Sequence, residues 1–314
     1  MDISVVIPAL NEAQLLPRLL GDLRGQAFPA HEVIVADAGS TDGTSEVARE
    51  HGAQVVVGGM PGIGRNNGAE VARGAFLYFL DADVRLPPTF LADAHAEIEE
   101  RFLDLATCEI IPISDNPADK LLHDFANLAV KIGQFSEPHA PGCCIMISRR
   151  LFRRVGGFDE SLKLAEDHDL VKRASQFRPL RVLRSTHVTV SVRRLEKEGR
   201  VNLVNKYLAV ELHRAFFGEV RNELVDYEFG HYADAESVPA ADRIQESQRL
   251  LDRIYQSYTA LIAGFGAGPG AAAVPPERLA TVREQFESLK GQLRSLLTFR
   301  ERPSLEDANH RNDR

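Results

Sequence analysis

Two carboxylates stand one residue apart at the end of an apolar run, Phe76-Leu77-Tyr78-Phe79-Leu80-Asp81-Ala82-Asp83. At a strand end, positions i and i+2 point to one side, so Asp81 and Asp83 can face one pocket. Paired carboxylate oxygens suit a hard divalent cation, Mg²⁺ or Mn²⁺, that keeps positions open for a diphosphate. Asp is also common in solvated turns, so the pair gains meaning from what accompanies it. A second acidic pair, Glu166-Asp167, opens a helical pattern through Leu170, Val171 and Ala174. Acids in a first helical turn offset the helix dipole. The same placement suits a carboxylate that takes a proton from an acceptor hydroxyl. Arg65, in Gly64-Arg65-Asn66-Asn67-Gly68, can hold a phosphate or a base edge in a bidentate way.

These residues need elements to position them. Ile3-Ser4-Val5-Val6-Ile7 is a β-branched run closed by Pro8 and reads as a buried strand. Asn11 is placed to cap a helix carrying Leu15, Leu16, Leu19, Leu20 and Leu23 on one face. Glu32-Val33-Ile34-Val35-Ala36 is the second strand, ending in the polar turn Asp37-Ala38-Gly39-Ser40-Thr41-Asp42-Gly43-Thr44 and a helix over 44–51. Val55-Val56-Val57 is a third strand. Residues 61–68 read as a glycine-rich turn before a short helix, with Gly64 and Gly68 allowing close approach of backbone to a ligand. Alternating strands and helices with short connections predict a largely parallel sheet wrapped by helices. Ligands of such sheets bind beyond the carboxyl ends of the strands. Residues 8–12, 37–42 and 81–83 all fall at such ends, which predicts one shared pocket.

Further on, a helix is expected over 90–103, strands over 105–111 and 144–147, and a helix over 149–155 stopped by Gly156-Gly157. Residues 182–192 read as strand material with a polar interruption, followed by Arg193 and Arg194. Those arginines are candidates for holding a diphosphate or a lipid phosphate, or simply a solvated helix start. His123 and His139 are lone histidines, a residue type that is more often structural than chemical.

The chain has 314 residues, 44% of them hydrophobic, enough for a large core, and a formal charge of −8, which argues against a general nucleic-acid binder. Residues 149–206 carry a local charge of +8, a feature that can attract a phosphate-bearing substrate or an anionic membrane surface. Cys108, Cys143 and Cys144 make no disulfide framework and fit a reducing compartment, so a cytoplasmic protein is expected, with a peripheral contact at the inner membrane face as a further expectation. Met1-Asp2-Ile3 runs into a strand without a basic leader, and no long apolar span is present.

The ordered series Val5-Val6-Ile7-Pro8-Ala9-Leu10-Asn11-Glu12, Val33-Ile34-Val35-Ala36-Asp37-Ala38-Gly39-Ser40-Thr41-Asp42-Gly43-Thr44, Gly64-Arg65-Asn66-Asn67-Gly68 and Leu80-Asp81-Ala82-Asp83 resembles the successive motifs of family 2 glycosyltransferases. The likeness resumes at Gly156-Gly157-Phe158-Asp159-Glu160 and Glu166-Asp167 and covers roughly residues 1–200. It implies the GT-A fold and an inverting, metal-dependent transfer from a nucleotide-diphosphate sugar to a saccharide hydroxyl or a polyprenyl phosphate. Pro8, Ala9, Asn11, Glu12, Asp37 and Arg65 would line the nucleotide pocket. Asp81 and Asp83 would be the DxD motif that binds the ribose and a Mg²⁺ or Mn²⁺ ion. Asp167 would be the catalytic base, Glu166 would lie on the acceptor side, and His187 would complete the metal shell. Many members carry two adjacent aspartates where this chain has Asp37-Ala38, and the second often reads the nucleobase. Ala38 cannot, which leaves UDP against GDP open.

Two rivals are weighed. A sugar nucleotidyltransferase of the same fold usually has a glycine-rich loop with a Lys or Arg directly after the first strand, and Pro8-Ala9-Leu10-Asn11-Glu12 stands there instead. A binding or scaffold protein with an inactive transferase domain is disfavoured by intact Asp81, Asp83 and Asp167. The expected organisation is a GT-A domain over 1–205, with a donor half to about 104 and an acceptor half from 105. A helix and acidic linker follow over 206–240, then a helical hairpin over 241–300 suited to docking or homodimerisation, then a polar tail over 301–314.

Overall fold

The structure, a computed structural model, describes residues 2–199. The linker, hairpin and tail expected over 206–314 lie outside the described residues. Of two compact units in the chain, the first contains residues 2–114 and 123–199, and the second contains residues 115–122. The latter stretch enters the helix α5 (Pro117–Gly133).

Among the described residues one sheet runs β3-β2-β1-β4-β7-β6-β8-β5. Its first half is parallel: β1 (Ile3–Ala9) lies between β2 (Glu32–Asp37) and β4 (Phe76–Leu80), and β3 (Gln54–Val57) flanks β2. Its second half is mixed. β7 (Cys144–Ser148) runs antiparallel to both β4 and β6 (Leu105–Ile113), while β8 (Arg181–Ser191) runs parallel to β6 and antiparallel to the short β5 (Val84–Arg85). The expected parallel sheet therefore holds for the first four strands and is joined by an antiparallel strand at its centre.

Alternation along each central strand separates two cores. Ile3, Val5, Ile7, Phe76, Tyr78 and Leu80 pack to one side with Leu16, Leu19, Leu20 and Leu23 of α1 (Leu16–Arg24) and with Phe90, Leu91, Ala94 and Ile98 of α4 (Phe90–Glu100). Val6, Leu77, Phe79, Ile145 and Ile147 pack to the other with Ala69 of α3 (Pro61–Val71), Leu151 and Phe152 of α6 (Arg149–Arg154), and Leu170, Val171 and Ala174 of α7 (Glu166–Ser175). Both faces of the sheet are thus covered, as apolar strands without solvent-facing positions require.

Two local expectations need correction. Asn11 does not cap α1, which begins at Leu16 with no side-chain cap. Asn11 instead adopts a left-handed conformation (φ 54°), which Asn tolerates better than most residues, and turns the chain sharply after β1. The stretch over 61–68 is not a turn: α3 starts at Pro61, a residue well suited to a first helical turn. Its Gly68 serves packing, because a Cβ there would lie 2.3 Å from Val6 Cγ1. Helix and strand, not backbone and ligand, make that close approach.

Candidate active site

The parallel half delivers three loops to one sheet edge, after β1, β2 and β4. The first two are joined by hydrogen bonds. Asn11 N–H donates to Ser40 Oγ (2.8 Å), Glu12 N–H to Thr44 Oγ1 (2.8 Å) and Ala13 N–H to Asp42 Oδ2 (3.0 Å), while Asn11 Oδ1 accepts from Thr41 N–H (3.0 Å). Asp37 organises the second loop: Oδ1 accepts from the Ser40 hydroxyl (2.5 Å) and Oδ2 from the Ser45 hydroxyl (2.6 Å). The Ser40, Asp42 and Thr44 side chains satisfy backbone groups that would otherwise have no partner. Their signal in the sequence was the dense run of Asp, Ser, Thr and Gly over 37–44. Pro8 and Ala9 sit at the end of β1, in register with Ala36 and Asp37.

Register places the third loop. Leu80 pairs with Cys144 across β4 and β7, so Asp81 lies beside Gly142 and Cys143. Arg65, on α3, reaches this point from below the sheet edge and is buried. Its Nη2 donates to Asp81 Oδ1 (2.8 Å) and to the Gly142 carbonyl (3.3 Å), and its Nη1 donates to Glu166 Oε1 (2.7 Å). Burial alone would weaken the charged guanidinium, but Asp81, Glu166 and Asp167 overcome that and hold it firmly protonated. Asp167 faces the same turn: its Oδ2 accepts the Gly142 N–H (2.6 Å) and its Oδ1 the His168 N–H (2.8 Å). A Cβ on Gly142 would sit 2.7 Å from Arg65 Nη2 and 3.0 Å from Asp167 Oδ2, so only glycine lets these groups close around the turn. Burial and the neighbouring Asp167 charge raise the Glu166 carboxyl above its ordinary range, against the pull of Arg65.

A second ion-pair group stands on the other side of Asp81. β8 pairs with β5 directly after Asp83, Val190 opposite Val84. The helix α8 (Arg193–Glu198) therefore starts at the pocket. Arg193 bonds Glu12 and lies 3.6 Å from Asp83. Burial, then the charges of Asp81 and Glu12, lift the Asp83 carboxyl to about 7 in spite of Arg193. The site holds more negative charge than its guanidiniums neutralise, and Asp83 responds by keeping its proton.

The sequence candidates divide accordingly. Glu12, Arg65, Asp81, Asp83, Glu166, Asp167 and Arg193 come together. Arg194 turns to Glu198 within its own helix (2.9 Å). His187 lies within β8, in register with Glu109, and among the described residues no three His, Cys, Asp or Glu side chains converge as a metal cage. The rings of His139 and His168 meet at a 44° tilt with centroids 5.1 Å apart, His168 being next to Asp167 in the chain. Sequence reasoning missed Gly142, the Glu12–Arg193 pair and Asn66. The Asn66 amide accepts from Phe158 N–H (2.9 Å) and donates to the Phe158 carbonyl (3.0 Å), tying α3 to the segment that leads to Glu166. Gly157, at φ 73°, leaves room for that amide, since a Cβ would lie 2.7 Å from Asn66 Oδ1. Long-range pairs of this kind leave no periodic trace in a sequence.

A helix-covered α/β sheet with acidic loops at the ends of its parallel strands is the GT-A architecture. Solved structures agree: the chain matches the mannosyltransferase PcManGT from Pyrobaculum calidifontis with a TM-score of 0.55 at 20% identity, over 95% of this chain and 83% of that one. It matches S. aureus TarS 1-349 with a TM-score of 0.50 at 23% identity, over 69% of this chain and 73% of that one. The profile of Glycosyl transferase family 2 matches residues 4–156, and that part of the chain is a family 2 glycosyltransferase domain. Among curated relatives, glycosyltransferase AglE of Haloferax volcanii is 28% identical over 185 residues, 55% of this chain and 61% of AglE. An uncharacterized glycosyltransferase of Mycobacterium tuberculosis is 36% identical over 115 residues, 36% of this chain and 50% of that protein. The aligned region thus spans between half and about three fifths of these relatives' own length.

Proposed function

We propose that the protein transfers a glycosyl group, with inversion, from a nucleotide-diphosphate sugar to a hydroxyl or a polyprenyl phosphate. The observation that carries this reading is the shared turn at Gly142, where Arg65 anchors Asp81 and the backbone N–H anchors Asp167. One rigid point fixes the donor aspartate and the candidate base relative to each other. Pro8, Ala9, Asn11 and Asp37 would line the nucleotide pocket. Asp37 is already engaged by Ser40 and Ser45, so its part is to shape the loop that receives the base. Arg193, beside Glu12 and Asp83, would meet the diphosphate, whereas Arg194 is held by Glu198 within α8.

The donor set fits a divalent cation: two carboxylates on one loop, one of which burial and the neighbouring Asp81 leave holding a proton, with remaining positions left to phosphate oxygens and water. Asp81 and Asp83 would hold Mg²⁺ or Mn²⁺, a choice supported by PcManGT, whose structure was solved in complex with GDP-Man and Mn²⁺. When bound, the ion supplies charge that stabilises the departing diphosphate. Asp167 would accept the acceptor's proton, a contribution typically worth about 10²–10⁴-fold.

Titration calorimetry with UDP- and GDP-sugars in the presence of Mn²⁺ tests the donor. Asp167→Asn is expected to cut sugar transfer by about 10²-fold or more while leaving donor affinity in place. Asp83→Asn is expected to weaken donor and Mn²⁺ binding together. Unchanged turnover in both variants would overturn the reading. Contact of the basic stretch over 149–206 with an anionic membrane is a separate proposal, tested by vesicle flotation; no helix among the described residues is long and apolar enough to cross a membrane.

A further inference from the structure

We infer that the acceptor presents an uncharged hydroxyl and that phosphate acceptors are excluded by the site's own field. This rests on the transfer reading above and commits it to one acceptor class. Five carboxylates gather here, from Glu12, Asp81, Asp83, Glu166 and Asp167. Two guanidiniums touch them: Arg65 on Asp81 and Glu166, Arg193 on Glu12 and near Asp83. With every carboxylate ionised the formal excess in this group of side chains is three negative charges, and the proton that Asp83 holds below about pH 7 leaves two. A diphosphate donor and one divalent cation bring about two charges of each sign, so loading the donor leaves the excess in place.

Part of this excess stands at Asp167, where the acceptor must arrive. Asp167 accepts only two backbone N–H groups and has no ion-pair partner among the described residues. Arg65 already serves Glu166, Asp81 and the Gly142 carbonyl. The other acid of the first turn of α7, Asp169, is matched by Arg173 at 2.6 Å, which also bonds the carbonyls of Val155 and Gly157 and so is fixed away from Asp167.

A nucleophile served by Asp167 lies within hydrogen-bond reach of its carboxylate. A hydroxyl there donates to a lone pair that the backbone leaves free. In the transfer step its O–H proton passes to Asp167 and its oxygen bonds the anomeric carbon. The bond from that carbon to the diphosphate oxygen breaks, and its electron pair leaves with the diphosphate. A phosphate monoester would set its negative charge beside the carboxylate of Asp167, which no guanidinium bonds among the described residues, and would have no proton that the base is needed to take. Like-charge juxtaposition of this kind discriminates by on the order of a hundredfold or more.

The test uses the full chain with Mn²⁺, the nucleotide-sugar that calorimetry identifies, and two acceptors of matched chain length, an alkyl glycoside and an alkyl phosphate. Glycosylation of the glycoside at least about a hundredfold faster than of the phosphate is expected. Glycosylation of the phosphate at a comparable rate would overturn the inference. Should neither acceptor react, donor hydrolysis decides, since water is the smallest uncharged hydroxyl: hydrolysis lost in Asp167→Asn supports the inference, and hydrolysis unchanged in that variant refutes it. Failure to bind or hydrolyse any nucleotide-sugar would instead count against the transfer reading itself.

Discussion

Asp83 keeps its proton up to about pH 7 because burial, with Asp81 and Glu12 close by, outweighs the help of Arg193. A cation that ligates Asp83 must displace that proton. Mn²⁺ affinity is therefore expected to rise by up to about tenfold per pH unit below 7 and to level off above it, measured by calorimetry at pH 6, 7 and 8. The same shift has a stability consequence. The folded carboxyl binds its proton more tightly than an aspartate of the unfolded chain does, so its contribution is favourable at low pH and is lost as pH rises through 7. Asp83→Asn is expected to raise the metal-free melting temperature relative to the parent at pH 8, and to do so less at pH 5. Arg65 poses the opposite case, a buried cation between two acids. Arg65→Ala leaves those acids without their counter-charge and is expected to cost about 3–5 kcal/mol, read from the urea midpoint. Arg65→Lys is expected to recover only part of this, because one ammonium cannot span both carboxylates as the fork does.

At the scale of elements, α3 is the part that joins the two ends of the site. Arg65 and Asn66 are consecutive, and they hold Asp81 and the Phe158 backbone respectively. The helix can sit low enough to do this only because Gly68 lies on Val6. Gly68→Ala improves helix propensity by about 1 kcal/mol, yet its Cβ would lie 2.3 Å from Val6 Cγ1. Overpacking of this kind typically costs about 1–3 kcal/mol and displaces the helix. The variant is expected to lose stability in chemical denaturation, and to lose donor affinity as well, because Arg65 moves with the helix. A gain in stability would show that α3 can ride higher without cost.

Across the whole molecule, the sheet is protected unevenly. β1, β4 and β7 are buried along their full length and carry both cores, whereas Gln54 and Val57 of β3 are exposed. Amide exchange is expected to be slowest in β1, β4 and β7 and clearly faster in β3 and β5, measured by native-state hydrogen exchange. The loops that carry Asp81 and Gly142 grow from two of these slow strands, β4 and β7. The apparent basicity of residues 149–206 also looks different at this scale. Arg150 and Arg178 share Asp104, Arg173 pairs with Asp169, and Arg194 pairs with Glu198. Much of that charge is matched locally or by an acid more than forty residues away.

The sequence by itself determined the strands, through unbroken apolar runs such as Phe76-Leu77-Tyr78-Phe79-Leu80, and it determined which loops carry acids at their ends. Those signals are local: burial on both faces demands continuous apolar residues, and sharp turns demand Gly, Asp and Ser. Asp81 and Asp83 were legible for that reason, and Asp167 as an acid in the first turn of a helix. Helix α3 was not, because glycines placed for packing look the same in one dimension as glycines placed for a turn. The antiparallel entry of β7, the closing role of Gly142, the bridge from Arg65 to Glu166 and the arrival of Arg193 at Glu12 were decided only by tertiary structure. Each joins residues far apart in the chain, and charge partners chosen by burial and register leave no spacing from which they can be read.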